Sequence, residues 1–551
     1  MQRYKIIWLL VKIASVAIVL SFLIYPIFQI LSTSFVDQYT KDFTFNNYLS
    51  YFTVEYYRDA LVNTLSLGAI GTILIMAIAL PLVYFLTHYD IPGRVAFNSL
   101  IWLPYLMPAF IGAYSWKILF GRFGFITKFL HDSLHINSPT IHGYWGMLVV
   151  FVLSYFPFAY VLLKGAFESI DPDLEEAAAT MGSSRVRTFF TVILPATMPS
   201  ILNTTLLIFI MVIDSFGIPA IIGFDTPMLT TRVYGEFTSE MAGIPSMASA
   251  GAILLLLISI FILIIQRFYL QRTTYAASVV RKLTPTSLNP HRKVLGTALL
   301  SVFFLISLLP TLAILFSSFT KAVGPVLQYG HFSLENYGRI LYGIPDAFKN
   351  SYTFATVAAL FDVAAGIFIA YVISRNMGRF NTLLDAFIAL PLGVPGIVVA
   401  LGYILAFNKG PIILVGTPWI LIIAYAIRRL PYAVRSISSL LYQIDPSVEE
   451  AAVTLGAKLP RTLLGVVSRL ALPGVISAAL LTWTFSVADL TTSIMLYTAY
   501  TRTLTVFGYS QMIGNAFGTA SAIAIVLLVS VLVPVFIVNA ISNRMGKRRE
   551  A

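Results

Sequence analysis

Two glutamate pairs and three isolated aspartates are the side chains of this sequence whose type and placing best suit chemistry. The pairs are Glu175-Glu176 and Glu449-Glu450. Each runs into two alanines, Ala177-Ala178 and Ala451-Ala452, and then meets a glycine, Gly182 or Gly456. The aspartates, Asp214, Asp362 and Asp489, stand inside long apolar stretches. A carboxylate in such a place can ligate a hard cation, relay a proton or pair with a cation on a neighbour. Other chemistries are excluded. Cysteine is absent, so there is no disulfide framework, thiolate metal site or cysteine nucleophile. The six histidines are scattered. No histidine cluster, catalytic carboxylate pair or serine motif at a helix end suggests a membrane enzyme. The Gly546-Lys547 pair is followed by Arg548 and lacks the upstream glycine of a phosphate-cradling loop, so this chain does not hydrolyse ATP by itself.

The elements that position these carboxylates must lie in a membrane. Of 551 residues, 58% are hydrophobic and 11% charged, against about 25% charged in an ordinary soluble domain. A helix crossing the apolar core needs about 20 mainly apolar residues. Twelve stretches meet that need: 7–31, 63–87, 95–119, 144–166, 198–222, 248–269, 294–318, 350–373, 385–407, 417–441, 472–496 and 518–540. Helix is the expected form, because every backbone polar group must be satisfied without water, and the alternation of a β-barrel is missing. The first stretch is too long for a signal-peptide core and has no convincing cleavage site, so it reads as an uncleaved anchor. Lysine and arginine gather in the terminal segments and even-numbered loops, which predicts both termini in the cytoplasm. The net charge of +12 is then mostly a topology signal, with no nucleic-acid patch.

The chain repeats itself. Asn63-Thr64 opens the second stretch and Asn350-Ser351 the eighth. Leu103-Pro104 with Pro108 recurs as Leu390-Pro391 with Pro395, and Phe45-Asn46-Asn47-Tyr48 resembles Leu334-Glu335-Asn336-Tyr337. The expected fold is an all-α membrane protein of about twelve transmembrane helices in two parallel six-helix repeats, 1–270 and 294–551, joined by a cytoplasmic linker, 271–293.

The best match lies between the fourth and fifth stretches of each half, at about 168–195 and 442–473. Asp171-Pro172-Asp173-Leu174-Glu175-Glu176-Ala177-Ala178 is answered by Asp445-Pro446-Ser447-Val448-Glu449-Glu450-Ala451-Ala452. Asp-Pro starts a short helix, since Asp caps and Pro suits the first turn. The glutamates sit near the positive end of the helix dipole. The alanines offer a smooth face for close packing, and Gly182 and Gly456 can turn the chain with positive φ. Basic residues follow: Arg185, Arg187, Lys458 and Arg461.

These loops resemble the EAA loops of permease subunits in binding-protein-dependent ATP-binding-cassette importers of the type I fold. The pattern is met by Glu176, Ala177, Ala178, Gly182, Val192, Leu194 and Pro195, and again by Glu450, Ala451, Ala452 and Gly456. In the second half Leu472-Pro473 comes later than the pattern asks, by about one helical turn. The resemblance implies coupling helices seated on two separate ATPase subunits, with ATP-Mg bound there and no cofactor on this chain. It also implies an external solute-binding protein and a bacterial cytoplasmic (inner) membrane location. Leu430-Pro431-Tyr432, Pro391 to Ile397 and Asp214 to Gly223, together with the fusion, look like the permease group for ferric iron, thiamine and 2-aminoethylphosphonate. Ferric iron is the leading expectation, with another small anion or an ion-coupled secondary transporter as alternatives.

Asp214 and Asp489 both fall deep in the fifth stretch of their half. They are expected to face a central pathway and guide a cation. The alternative is that they accept bonds from Ser215, Ser486 and Thr491 and only fix packing, the role also expected of Asp362 in an outer-looking span. No metal ligand set is fixed. Pro104, Pro108, Pro391 and Pro395 are expected to break helices, which is tolerable only beside protein or a water-filled cavity. Tyr56, Tyr57 and Tyr234, with Glu55, Glu236 and Glu240, are expected on the outer face.

Overall fold

In the computed structural model the chain is described at all residues except 1, 123, 137–139, 240–242, 273–284, 288, 324–325, 376–378, 456, 458–464, 466–467 and 551. Each apolar stretch contains helix. Among the described residues, Leu9–Ser34, Glu55–His88, Gly143–Glu168, Arg185–Asp214, Pro245–Phe268, Pro290–Ser318, Pro345–Arg375 and Phe517–Ile537 are each long and apolar enough to cross a membrane. Two stretches are broken rather than straight: Arg94–Leu106 turns by 98° into Ala109–Leu134, and Asn381–Gly393 turns by 100° into Gly396–Phe407. The cause is proline. Pro108 and Pro395 have no amide hydrogen to continue a preceding helix, and each instead caps the one that follows. The other two stretches are Pro418–Leu441, which carries Arg428, Arg429 and Arg435, and the 16-residue helix Leu472–Val487.

The fifth and eleventh stretches end sooner than their apolar composition suggests. Helix Leu194–Asp214 stops at Asp214 and a separate short helix, Gly217–Ile222, follows. Leu472–Val487 is likewise followed by Ser493–Leu496. Small strand pairings interrupt the all-helical plan: Tyr89–Asp90 runs parallel to Thr286–Ser287, and Thr320–Val323 antiparallel to Val326–Phe332. The centre of the 271–293 linker lies outside the described residues.

The repeat is visible in paired polar latches. Asn47 Nδ2 donates to the carbonyls of Ser34 and Val36 at 2.8 and 3.0 Å, and Asn336 Nδ2 to those of Ser318 and Thr320 at 3.0 and 2.9 Å. Tyr48 meets Ser34 Oγ as Tyr337 meets Ser318 Oγ. Asn63 and Asn350 each hold a carbonyl of the loop between the fifth and sixth spans of their half. Beside them, Thr64 Oγ1 accepts from the Leu229 amide and Ser351 Oγ from the Leu504 amide, both at 2.7 Å. The Asn63-Thr64 and Asn350-Ser351 signatures are thus helix-start caps for a distant short helix, satisfying amides that no turn of that helix can reach.

The halves also exchange arms. Helix Tyr25–Ser34, ending the first span, packs on Gly396–Phe407 of the second half, and Pro290–Ser318 packs on Ala109–Phe120 of the first. Phe22 meets Phe407 at a ring separation of 5.8 Å, and Phe97 stacks on Phe304 at 5.1 Å.

Candidate functional site

A cavity of about 590 Å³ lies between the halves. Its wall is assembled from interruptions. Met107 and Pro108 come from one broken helix, Val394 and Pro395 from the other, and Asp214 and Asp489 from the early helix ends, while Arg428 and Arg429 project from Pro418–Leu441. Both prolines of the breaks therefore face a cavity, the surroundings such breaks require.

Four charges meet there. Arg428 Nη1 donates to Asp489 Oδ2 at 2.7 Å and to Thr492 Oγ1 at 2.8 Å, while its Nη2 reaches Asp214 Oδ2 at 3.4 Å. Arg429 Nη2 donates to the same Asp489 oxygen at 2.8 Å. Asp489 Oδ1 accepts from the Thr492 amide at 2.8 Å, and Asp214 Oδ1 from the Gly396 amide at 2.9 Å. Gly396 begins helix Gly396–Phe407, so this carboxylate sits on a helix N-terminus, where partial positive charge favours it. A Cβ at Gly396 would come within 2.7 Å of Arg428 Nη1, so only glycine lets the guanidinium lie this close to the backbone. Arg428 joins the halves: one carboxylate belongs to the first and the other to the second.

Asp214 and Asp489 thus do line a common cavity, but Ser215, Ser486 and Thr491 are not what holds them. Charge-assisted guanidinium bonds take their place, being stronger than neutral hydroxyl bonds. The two positions are equivalent. Each precedes a short helix, and in each half a threonine from the next helix bonds back, Thr230 Oγ1 to the Ser215 carbonyl at 2.8 Å and Thr505 Oγ1 to the Asp489 carbonyl at 3.1 Å. Asp362 differs from the expectation for it. It is fully buried in Pro345–Arg375, and neither carboxylate oxygen finds a hydrogen-bond partner, so no polar bond of its own explains its place in the packing. Arg428 and Arg429 are the charged side chains of the cavity that a search for acids alone misses. Arginine inside the apolar 417–441 stretch was the available signal.

The two glutamate pairs sit on short helices on another face. Asp171 caps Pro172–Thr180, its carboxylate accepting from the Asp173 amide at 3.1 Å. Asp445 does the same for Ser447–Thr454 through the Ser447 amide at 2.8 Å, which holds its carboxyl below the usual range. Gly182 takes φ of 81° and turns the first loop as expected; Gly456 and most of the second loop's exit lie outside the described residues. The members of each glutamate pair point differently. Glu175 Oε1 meets His88 Nε2 at 2.9 Å, and Glu449 takes Arg375 Nε and the Tyr371 hydroxyl, each at 2.7 Å. Glu176, Ala177, Glu450 and Ala451 face outward, whereas Ala178 is buried and Ala452 half-buried. Around them Leu174, Met181, Val186 and Leu455 leave apolar surface exposed.

On the third face, Glu236 lies buried near Tyr56 and Tyr57, and its carboxyl is pushed up by desolvation. Arg232 lies over the Tyr56 ring at 3.3 Å. Tyr234 packs edge-on against Phe216, Glu55 starts its helix, and Glu240 lies outside the described residues.

A duplicated helical bundle with a central cavity and two copies of an outward-facing Glu-Ala helix defines a transport class. The chain belongs to the binding-protein-dependent transport system inner membrane component family, whose pattern matches residues 74–275 and again 362–547. It is a fused, multi-pass permease of the ATP-binding-cassette importer type. Among relatives, the ferric transport system permease protein FbpB of Actinobacillus pleuropneumoniae is 26% identical over 524 residues, covering 93% of this chain and 75% of the relative. A permease of Salmonella paratyphi A assigned to 2-aminoethylphosphonate transport is 28% identical over 256 residues, covering 46% of this chain and 95% of the relative. A chain in the crystal structure of a bacterial alginate ABC transporter, in complex with an alginate pentasaccharide-bound periplasmic protein, aligns with a TM-score of 0.42 and 18% identity over 49% of this chain and 96% of that one.

Proposed function

We propose that this chain is the membrane path of an ATP-driven ferric-iron importer. The observation that carries the iron reading is the ferric transport relative spanning 93% of the chain. In this reading two ATPase subunits, each with its ATP-Mg, seat on Pro172–Thr180 and Ser447–Thr454. They contact the outward Glu176-Ala177 and Glu450-Ala451 and the apolar side chains beside them. Both termini are cytoplasmic, and a solute-binding protein delivers its load at the opposite face. Closure of the ATPases rocks repeats 1–270 and 294–551 about the 271–293 linker and exposes the cavity to each side in turn.

Asp214 and Asp489 are the pathway carboxylates. A cation can use their oxygens once Arg428 lets go, so the Arg428 bridge opposes occupation by bare cations until the halves move. The same arginines favour a second reading, a small anionic solute such as 2-aminoethylphosphonate. The test is uptake into proteoliposomes holding this chain, its ATPase and its binding protein. ATP-dependent accumulation of labelled iron supports the first reading and of labelled phosphonate the second. Uptake driven by an ion gradient without ATP would overturn both.

A further inference from the structure

Asp362 is an acid without a bond. It is fully buried in Pro345–Arg375, and neither of its oxygens has a hydrogen-bond partner. On the neighbouring helix Pro418–Leu441, Arg429 makes its bonds through Nη2, to Asp489 Oδ2 at 2.8 Å and to the Phe485 carbonyl at 3.4 Å, while its buried Nε has no acceptor. An unpartnered carboxyl group in an apolar interior costs free energy that no bond here offsets.

Helix register puts the two side by side. A Cβ at Gly366 would lie 3.2 Å from that of Ala433, and further along both helices Ile367 and Tyr371 share a small pocket with Ile437 and Leu441. The helices therefore run parallel and in contact. Residues four apart lie on one helix face. One turn back from Gly366 and Ala433 stand Asp362 and Arg429, and Arg429 is the charge that acts on Asp362. The first repeat supplies the comparison. Ile75 stands twelve residues after Asn63, as Asp362 does after Asn350, and Tyr155 stands two before Pro157, as Arg429 does before Pro431. Ile75 is fully buried, so the fold fills this place with an apolar side chain where no arginine faces it. Acid and base are present together in one repeat and absent together from the other.

We propose that Asp362 is a second seat for Arg429, a positioning residue that takes the guanidinium when Asp489 is engaged elsewhere. Arginine keeps its charge in a protein, so a solute that took Asp489 would otherwise strand a buried cation, at the cost such a broken pair carries. A change of side-chain rotamer moves the guanidinium between two acids and needs no movement of the backbone. The use of this seat in transport rests on the function proposed above, but the seat itself does not.

The test is a thermodynamic cycle on the full chain in detergent, read by equilibrium unfolding. D362N removes an acid that makes no bond here and should raise the unfolding constant no more than about twofold. D489N should raise it further. With both changes the rise should exceed the product of the single effects roughly tenfold, because Arg429 then has neither acid. Single effects that simply multiply would overturn the proposal, and so would a large loss from D362N alone, the mark of a purely structural role. The chain has no cysteine, so D362C/R429C gives a second check on the unmodified background. Mild oxidation should join the pair, and failure to join would overturn the juxtaposition. In the assembled importer D362N should slow ATP-driven uptake of labelled ferric iron roughly tenfold, and a wild-type rate would remove the seat from the transport cycle. Should the unsubstituted chain show no ATP-driven uptake, the proposed function fails while the unfolding cycle still decides the seat.

Discussion

Arg428 reaches Asp214 across the boundary between the halves, at 3.4 Å, while holding Asp489 of its own half at 2.7 Å. One guanidinium therefore reports on the relative placing of two repeats. Removing it leaves Asp489, a carboxylate with 3% of its side chain exposed, to Arg429 and the Thr492 amide, and leaves Asp214 to the Gly396 amide.

R428Q is expected to lower stability by about 1–3 kcal/mol, the cost of leaving a buried group one donor short, because Arg429 still pairs with Asp489 at 2.8 Å. A double-mutant cycle of R428Q with D214N, read by unfolding in detergent, should show a coupling of at least about 0.5 kcal/mol. Additive single effects would mean that the bridge across the halves is not formed.

Gly396 makes a sharper probe, because its replacement adds one methyl group and no charge. G396A places a Cβ 2.7 Å from Arg428 Nη1 and should reduce both the melting temperature and transport. G165A is the control. Nothing lies within 4 Å of its new Cβ, and in a helix the change should stabilise by about 0.5–1 kcal/mol. Equal behaviour of the two variants would refute the close approach.

The two members of each glutamate pair should separate by assay. E175A and E449A remove the grips of His88 and Arg375 and should loosen the short helices in the isolated chain. E450A should leave the isolated chain's stability within about 0.5 kcal/mol, as surface changes do, yet E176A and E450A together should abolish co-purification of the ATPase. Retention of the ATPase by the E176A/E450A double variant would end the docking assignment.

The paired latches give a test of the repeat that needs no substrate. N47A and N336A each leave two carbonyls without their donor, and each should cost about 1–3 kcal/mol. Thermal unfolding should rank them together. A large cost for one and none for the other would show that the halves do not use the motif alike.

Much of this was legible in the sequence because it repeats there. Asn63-Thr64, Asn350-Ser351 and the two Glu-Ala helices are local signals, and the structure gives both members of each set the same job. Pro108 and Pro395 announced breaks because a missing amide hydrogen is a property of the residue itself. The central charge cluster was half legible. Its aspartates stood out in apolar surroundings, but their pairing with Arg428 and Arg429 joins helices far apart in sequence, and closeness of that kind has no linear signature. The bend angles near 100° were hidden for the same reason, since proline says where a helix stops and not where the chain turns next. The partnerless burial of Asp362 depends wholly on what packs around it.

The exchanged arms bear on how such a protein could arise and be built. Each half's opening helix lies on its neighbour's broken one, so neither half is a finished body alone. Tyr25–Ser34 packs on Pro245–Arg272 of its own half, but a chain synthesised from its N-terminus leaves its other face uncovered until Gly396–Phe407 has been made. Assembly in the bilayer therefore closes late, and joining the two halves in one polypeptide keeps that waiting surface from meeting a stranger.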